Sequence, residues 1–296
     1  MTGTTTISRH RPVNESYRSF GDVRTRVLEV AGSGPPLVCL HGYSDQADTW
    51  RPLMRALRAA DRRVIAVDLP GFGRASALQP GLVLPQLDRF VAETVRSAAD
   101  SAGQAAVVIG NSLGGIAALR AGADRALPIA GVVPISPAGF GHSRALRWAQ
   151  HSDAVLPMLQ RGRLPMPVVR SVMTMAFRRA SCGNPRRADH EAVRAYAGQF
   201  RTRGDLYRML STAPSLLTEL GQGHEVSPVD VPVLLLWGDH DRLTLHRGSE
   251  RVLEVIPHTE LVTLAGFGHC PQLEAAPRVA ELINDFVDRV TGPSVG

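Results

Sequence analysis

The feature that most constrains this chain is a rhythm of short apolar runs, each ending in a Gly or Asp turn signal, with helical patterns between them. Leu37–Leu40, Val64–Leu69, Ala105–Gly110 and Val231–Gly238 are such runs, and Val132–Ile135 and Leu261–Leu264 look similar. Runs without polar alternation suit parallel strands covered on both faces. Arg24–Val30 alternates in the manner of an antiparallel edge strand. Between the runs, Trp50–Ala60, Leu84–Ala102, Ser112–Ala121, Glu250–Val255 and Pro277–Val290 carry helical patterns, the first with Pro52 near its opening turn. Strand alternating with helix predicts an α/β fold with a mostly parallel, doubly wound sheet.

The rhythm stops at about Ala138 and resumes after Val226. The stretch between them is rich in Arg, Met and Pro, largely helical in pattern, and has no clear buried strand. It is read as an insertion, a helical lid over residues 138–226. The core is then 20–137 with 227–296, and 1–19 is a mobile N-terminal tail. A chain of 296 residues can hold one such domain with its insertion. No apolar run reaches the ~18–20 residues that cross a bilayer. Met1–Ser19 lacks the apolar stretch of a signal peptide, so a cytoplasmic protein is expected. The three cysteines, Cys39, Cys182 and Cys270, form no zinc pattern and no disulfide framework.

Charge is unevenly spread. The net charge is +6, and every basic residue is Arg. Gly141–Leu210 carries thirteen arginines against Asp153, Asp189, Glu191 and Asp205. This basic segment is either a solvated helical face or an attractor for an anionic ligand, such as a carboxylate, a phosphate-bearing thioester or an acidic carrier protein. On the second reading Arg144 and Arg147 are candidate substrate contacts. Nucleic acid is not expected, since no binding motif accompanies the charge. Met158, Met166, Met173 and Met175 could give the insertion an adaptable apolar underside, or serve ordinary packing.

The chemistry is carried by Gly110-Asn111-Ser112-Leu113-Gly114-Gly115, which follows the run ending at Ile109 and opens the helix Ile116–Ala121. A serine on a tight strand-to-helix turn stands clear of the sheet, with the next amide aimed at a reacting carbonyl. Gly110 and Gly114 let neighbouring backbone approach. A serine hydroxyl is a weak nucleophile and needs a base oriented by an acid. Val231–Trp237 leads to Gly238-Asp239-His240-Asp241, and Leu261–Leu264 leads to Gly266-Phe267-Gly268-His269. An acid and a histidine therefore follow Ser112 in order, each just beyond a strand's carboxyl end, where sites of open α/β sheets form.

Taken with His41-Gly42-Tyr43 and Asp68-Leu69-Pro70-Gly71-Phe72-Gly73, these motifs span most of the chain and resemble the alpha/beta-hydrolase superfamily in its lidded branch. The resemblance implies a triad of Ser112, Asp241 and His269. It selects Asp241 over Asp239 because the family's acid stands at Gly-x-x-Asp. It also implies an oxyanion hole from the backbone amides of Tyr43 and Leu113, and leaves His41 and the Asp68 turn as loop scaffolding. Asn111 is a further candidate substrate contact.

The function expected is that of a serine hydrolase cleaving a carboxylic ester or thioester through an acyl-enzyme on Ser112. The substrate would be a small acyl compound, with no cofactor and no metal. The alternative is a carbon–carbon bond hydrolase acting on an anionic ring-cleavage product, whose elbow resembles Gly110-Asn111-Ser112. Against it, the loop after His41-Gly42 lacks that group's Gly-rich run, and Cys270 stands where those enzymes commonly have Trp. A third reading is a non-catalytic ligand-binding protein of the same fold.

Overall fold

A computed structural model describes residues 12–141, 165–221 and 228–292. Eight strands form one sheet: β1 (Asn14–Phe20), β2 (Val23–Val30), β3 (Ser33–Leu40), β4 (Arg62–Val67), β5 (Ala106–Asn111), β6 (Ile129–Ile135), β7 (Leu234–Gly238) and β8 (Glu260–Leu264). Their order is β1-β2-β4-β3-β5-β6-β7-β8. β1 and β2 are antiparallel to their neighbours, and the pairings from β4 through β8 are parallel. The helices of the core are α1 (Arg51–Arg58), α2 (Val83–Ala102) and α3 (Leu113–Ala123). Between β6 and β7 lie α4 (Met166–Ser181), α5 (His190–Gly198) and α6 (Arg203–Gly221). α7 (Gly248–Val255), α8 (Pro271–Glu274) and α9 (Ala276–Thr291) complete the chain.

The apolar runs are strands because both faces of the sheet are covered. Val38, Leu40, Ile65, Val67 and Val108 point into a cluster with Leu87, Val91 and Ile116 of α2 and α3. Leu37, Cys39, Val64, Ala66 and Val107 point the other way, to Leu53 and Leu57 of α1 and Val279, Ile283 and Phe286 of α9. Successive side chains alternate between two buried faces, so the run is apolar throughout.

Two expectations are corrected. Residues 14–20 are not tail but strand β1, paired along its whole length from Asn14↔Glu29 to Phe20↔Val23. β2 is consequently an inner strand rather than an edge. The sequence hides β1 because only Phe20 of its residues is buried. Main-chain pairing and ion pairs such as Arg18–Glu29 and Arg74–Glu15 hold it.

The insertion's described part is helical, with its own cluster of Val169, Tyr196, Phe200, Leu206 and Met209. Met166 and Met173 pack on that cluster, while Met175 is exposed. The core continues past residue 138, since Ala138 and Phe140 are buried within it. The end of α6 rejoins it through Leu216 and Leu220. Glu219 accepts from the amides of Val83 and Leu84 at 2.8 and 2.9 Å. A carboxylate there satisfies free N–H groups at the start of α2 and complements its dipole. Among the described residues no helix is long and apolar enough to cross a membrane.

β3 is followed by α1 and a neighbour on one side, whereas β5 lies on the other side and is reached through α2. The carboxyl ends of β3 and β5 thus flank the point where the winding reverses, the place where sites of open α/β sheets form.

Candidate active site

Ser112 stands at that point, between β5 and α3, with φ +54° and ψ −111°. A side chain rarely adopts this conformation, and tight packing enforces it. A methyl on Gly110 would lie 1.9 Å from the Gly114 carbonyl oxygen, and one on Gly114 would lie 2.1 Å from the Leu40 carbonyl oxygen. Neither position can carry a side chain, so both glycines are required by close approach rather than by flexibility. The Ser112 amide donates to the Ile135 carbonyl at 2.9 Å, and its carbonyl accepts from Ile116 and Ala138. Ser112 is half-buried, and none of the hydrogen bonds seen among the described residues involves its hydroxyl. Such bonds often tighten only when substrate binds.

Asp241 and His269 meet. Nδ1 of His269 lies 2.8 Å from Oδ2 of Asp241, and both residues are 4% exposed. Oδ1 of Asp241 accepts from the amides of Leu243 and Thr244 at 2.8 and 3.0 Å. Burial pushes the Asp241 carboxyl up, but the adjoining His269 and these donors outweigh it and hold the group below the usual carboxylate range. Asp239 instead accepts from the Gly266 amide at 2.7 Å and closes a turn. His246 bonds Thr263 at 2.8 Å, apart from this pair.

Thr244 was not singled out from sequence. Its hydroxyl lies 2.8 Å from Asp241 Oδ2, 3.1 Å from His269 Nδ1 and 3.2 Å from the Ser136 carbonyl oxygen. Its carbonyl accepts from the Trp237 indole at 2.9 Å, which fixes the loop to β7. Its only trace in the sequence is its place three residues after Asp241.

Asn111 is corrected. It is 1% exposed, and its amide nitrogen donates to the carbonyls of Ile135 at 3.2 Å and His269 at 2.8 Å. Its side-chain oxygen accepts from the Cys270 thiol at 3.4 Å. With both ends of its amide engaged, it ties the His269 loop to the elbow. Burial holds the Cys270 thiol well above its ordinary pKa, so it is not a reactive thiolate. Arg144 and Arg147 lie outside the described residues.

The loop after β3 reaches the same place. A methyl on Gly42 would lie 3.3 Å from Ser112 Cβ, so the Gly42–Tyr43 backbone runs beside the serine. Leu113 opens α3, where the first amides have no partner within the helix. His41 is buried, with Nε2 accepting from the Leu69 amide and Nδ1 facing the Gly42 carbonyl, each at 2.8 Å. That leaves Nδ1 as the protonated nitrogen, and burial lowers the pKa of the ring. Asp68 accepts from Arg26, Ala47 and Arg74, and a methyl on Gly73 would strike its carboxylate. Both motifs brace loops. Among the described residues no cluster could hold a metal ion.

Residues 37–282 match the model of the alpha/beta hydrolase family. The chain belongs to the alpha/beta hydrolase family. This alpha/beta hydrolase is 30% identical over 276 residues to a pimeloyl-(acyl-carrier protein) methyl ester esterase of Xanthomonas oryzae pv. oryzae, covering 89% of this chain and 99% of the relative. It is 29% identical over 272 residues to the dihydrolipoyllysine-residue acetyltransferase component of the acetoin cleaving system of Pseudomonas putida, covering 88% of this chain and 66% of that one. Among solved structures, a 2-hydroxy-6-oxo-6-phenylhexa-2,4-dienoate hydrolase from Rhodococcus sp. strain RHA1 superposes with a TM-score of 0.73 at 20% identity, covering 93% and 99% of the two chains. That likeness establishes the fold. The family and the esterase relatives make this chain an enzyme of the alpha/beta hydrolase fold.

Proposed function

We propose that the chain is a serine hydrolase that cleaves a carboxylic ester through an acyl-enzyme on Ser112. The observation that carries this reading is the 2.8 Å contact between His269 Nδ1 and the buried Asp241 carboxylate, on a loop that Asn111 fastens to the Ser112 elbow. Ser112 Oγ attacks the acyl carbonyl while His269 Nε2 takes its proton. Asp241 holds the ring in the tautomer that leaves Nε2 free, and stabilises the imidazolium that forms. The tetrahedral oxyanion rests on the Tyr43 and Leu113 amides, where losing one donor costs about 2.7–4 kcal/mol. His269 returns its proton to the leaving alcohol. Water then attacks the acyl-serine with His269 again as base, releasing the acid and restoring Ser112.

The proposed substrate is an acyl ester with anionic character, which a carrier protein could supply. Two observations support it. The relatives named for a carrier-linked methyl ester align over nearly their whole length. The insertion, whose helices α4–α6 we assign as a lid, belongs to the chain's most basic segment.

The test is hydrolysis of p-nitrophenyl esters of graded chain length, with and without a terminal carboxylate, alongside labelling by a fluorophosphonate probe. Turnover and labelling are expected, and both should vanish in Ser112→Ala with the fold intact. Near-normal turnover by Ser112→Ala would sink the assignment. No labelling of well-folded wild-type protein would favour a ligand-binding role instead.

A further inference from the structure

The loop that approaches Ser112 from β3 is held from two sides, by the core and by the insertion. Ser44 has φ +57°, in the left-handed region that residues other than glycine seldom occupy. Such a conformation persists only where its surroundings over-determine it. Within the loop itself the one main-chain bond from residues 42–46 back into the segment is Asp45 N to the Gly42 carbonyl, at a long 3.3 Å.

The core touches it through His41 Nδ1 at the Gly42 carbonyl, Thr49 N at the Gln46 carbonyl, Arg26 at Gln46 Oε1 and the Phe72 ring against Tyr43, and further restraints come from α5, α6 and the residue after α5. Gln199 Nε2 donates to the Ser44 carbonyl at 2.9 Å. Gln46 Nε2 donates to the Ala195 carbonyl at 2.6 Å. The Tyr43 hydroxyl donates to the Met209 carbonyl. The Tyr196 hydroxyl lies 3.5 Å from Ser44 Oγ, and its ring stacks on Phe177 at 3.9 Å between centroids. Three polar ties therefore join residues 43, 44 and 46 to α5, α6 and Gln199, which the α/β core does not itself supply.

We propose that Gln199 is a positioning residue that, by holding the Ser44 carbonyl, sets the direction of the Tyr43 amide toward the oxyanion. The inference rests on the serine hydrolase reading above, with Tyr43 as an oxyanion donor. Gln199 touches no reacting atom. It acts through the loop, whose other wall is Gly42 against Ser112. An oxyanion donor works only when aimed at the place the charge will occupy, and a shift of an ångström or less removes its advantage. Tyr43 and Gln46 reinforce the same alignment from the loop side, so the insertion serves the chemistry as well as covering it.

The test is Gln199→Leu, which keeps the bulk and deletes the donor, with active sites counted by fluorophosphonate titration. For a short neutral ester, kcat per active site should fall about tenfold or more. The Ki of a trifluoromethyl ketone, which presents a tetrahedral oxyanion, should rise by the same factor. KM should stay within about twofold, and the pH profile should not move, because His269 and Asp241 are undisturbed. A purely structural role would lower the number of titratable sites and leave kcat per site and Ki unchanged, and that result overturns the proposal. Should the Leu variant fail to fold, Gln199→Met, which keeps the unbranched length and removes only the amide donor to the Ser44 carbonyl, decides by the same readouts. Ser112→Ala separates the two levels. If it is inert and Gln199→Leu is normal, the positioning role alone is lost. If it is active, the reaction assignment fails and the inference with it.

Discussion

Nδ1 of His269 sits 2.8 Å from Oδ2 of Asp241, with both side chains almost wholly withdrawn from water. Oδ1 of the same carboxylate is occupied by the Leu243 and Thr244 amides, so Oδ2 is the oxygen left for the ring. On the proposed serine hydrolase reading, Nδ1–H donates to Oδ2 and Nε2 is left to act as the base. Asp241→Asn keeps the shape but can place an amide N–H toward the ring and select the wrong tautomer. We expect kcat to fall by about 10³–10⁴ while the thermal midpoint changes little. Retention of more than a tenth of the activity would remove Asp241 from the acid role.

Thr244 adds a donor to the same oxygen at 2.8 Å, and it is among the groups that hold the Asp241 carboxyl below its ordinary range. Thr244→Val deletes the hydroxyl with little change of volume. A loss of about 0.5–1.5 kcal/mol, or roughly threefold to tenfold in kcat/KM, is expected. The pH dependence has a definite sign. A carboxyl with a depressed folded-state pKa contributes stability above its unfolded pKa, near 3.9, and loses it as pH falls through the lower folded value. Weakening the depression should shift acid unfolding to higher pH in Thr244→Val. An unchanged acid midpoint would show that the hydroxyl does not act on Asp241.

The sheet and the elbow were legible because they rest on patterns that sequence displays directly. A strand buried on both faces must be apolar at every position, as Leu37–Leu40 is, and a serine turn packed against Leu40 must have glycine at 114. β1 was missed because its residues are mostly exposed and its stability lies in main-chain pairing. Asn111 was misread for a different reason. Its place beside Ser112 suggests a substrate contact, but its side chain turns inward to the His269 carbonyl. Thr244 shows only its spacing from Asp241, since His269 lies 25 residues away, and Gln199 carries no local signal, since the Ser44 carbonyl lies 155 residues away and meets it only in the folded chain.

Arg26 of β2 is 2% exposed and lies among Asp68, Asp48 and Gln46, with Nε 3.0 Å from Asp68 and Nη2 2.5 Å from Asp48. Burial lowers its pKa, and the two carboxylates more than reverse that, so the guanidinium stays charged. Arg26→Met would leave Asp68 without its cation beneath the loop that follows β3, while Asp48 keeps Arg51 at 2.6 Å. Breaking a buried pair from one side destabilises by about 3–5 kcal/mol. Urea unfolding at neutral pH should show that loss. A change below about 1 kcal/mol would mean that water or the amides of Ala47 and Arg74 already compensate Asp68.

Asp45 presents the opposite case, a buried carboxyl with no ion-pair partner among the described residues, 4% exposed, in the loop beside Ser112. Burial pushes its pKa up to about 7, with nearby Asp48 and Asp68 adding to the rise and the Gln46 amide, donating at 2.9 Å, offsetting part of it. In the unfolded chain the group titrates near 3.9. Between roughly pH 4 and pH 7 the folded protein therefore holds a proton that the unfolded chain has released, and stability falls as pH rises across that window. Above about 7 both states are ionised and the loss levels off. Asp45→Asn can still accept from the Gln46 amide but never ionises. It should match the wild type near pH 4 and exceed it by ~1–3 kcal/mol at pH 8, read as urea midpoints taken at each pH. A difference that is constant from pH 4 to pH 8 would mean that Asp45 is ionised throughout and that its environment is wetter than its burial implies.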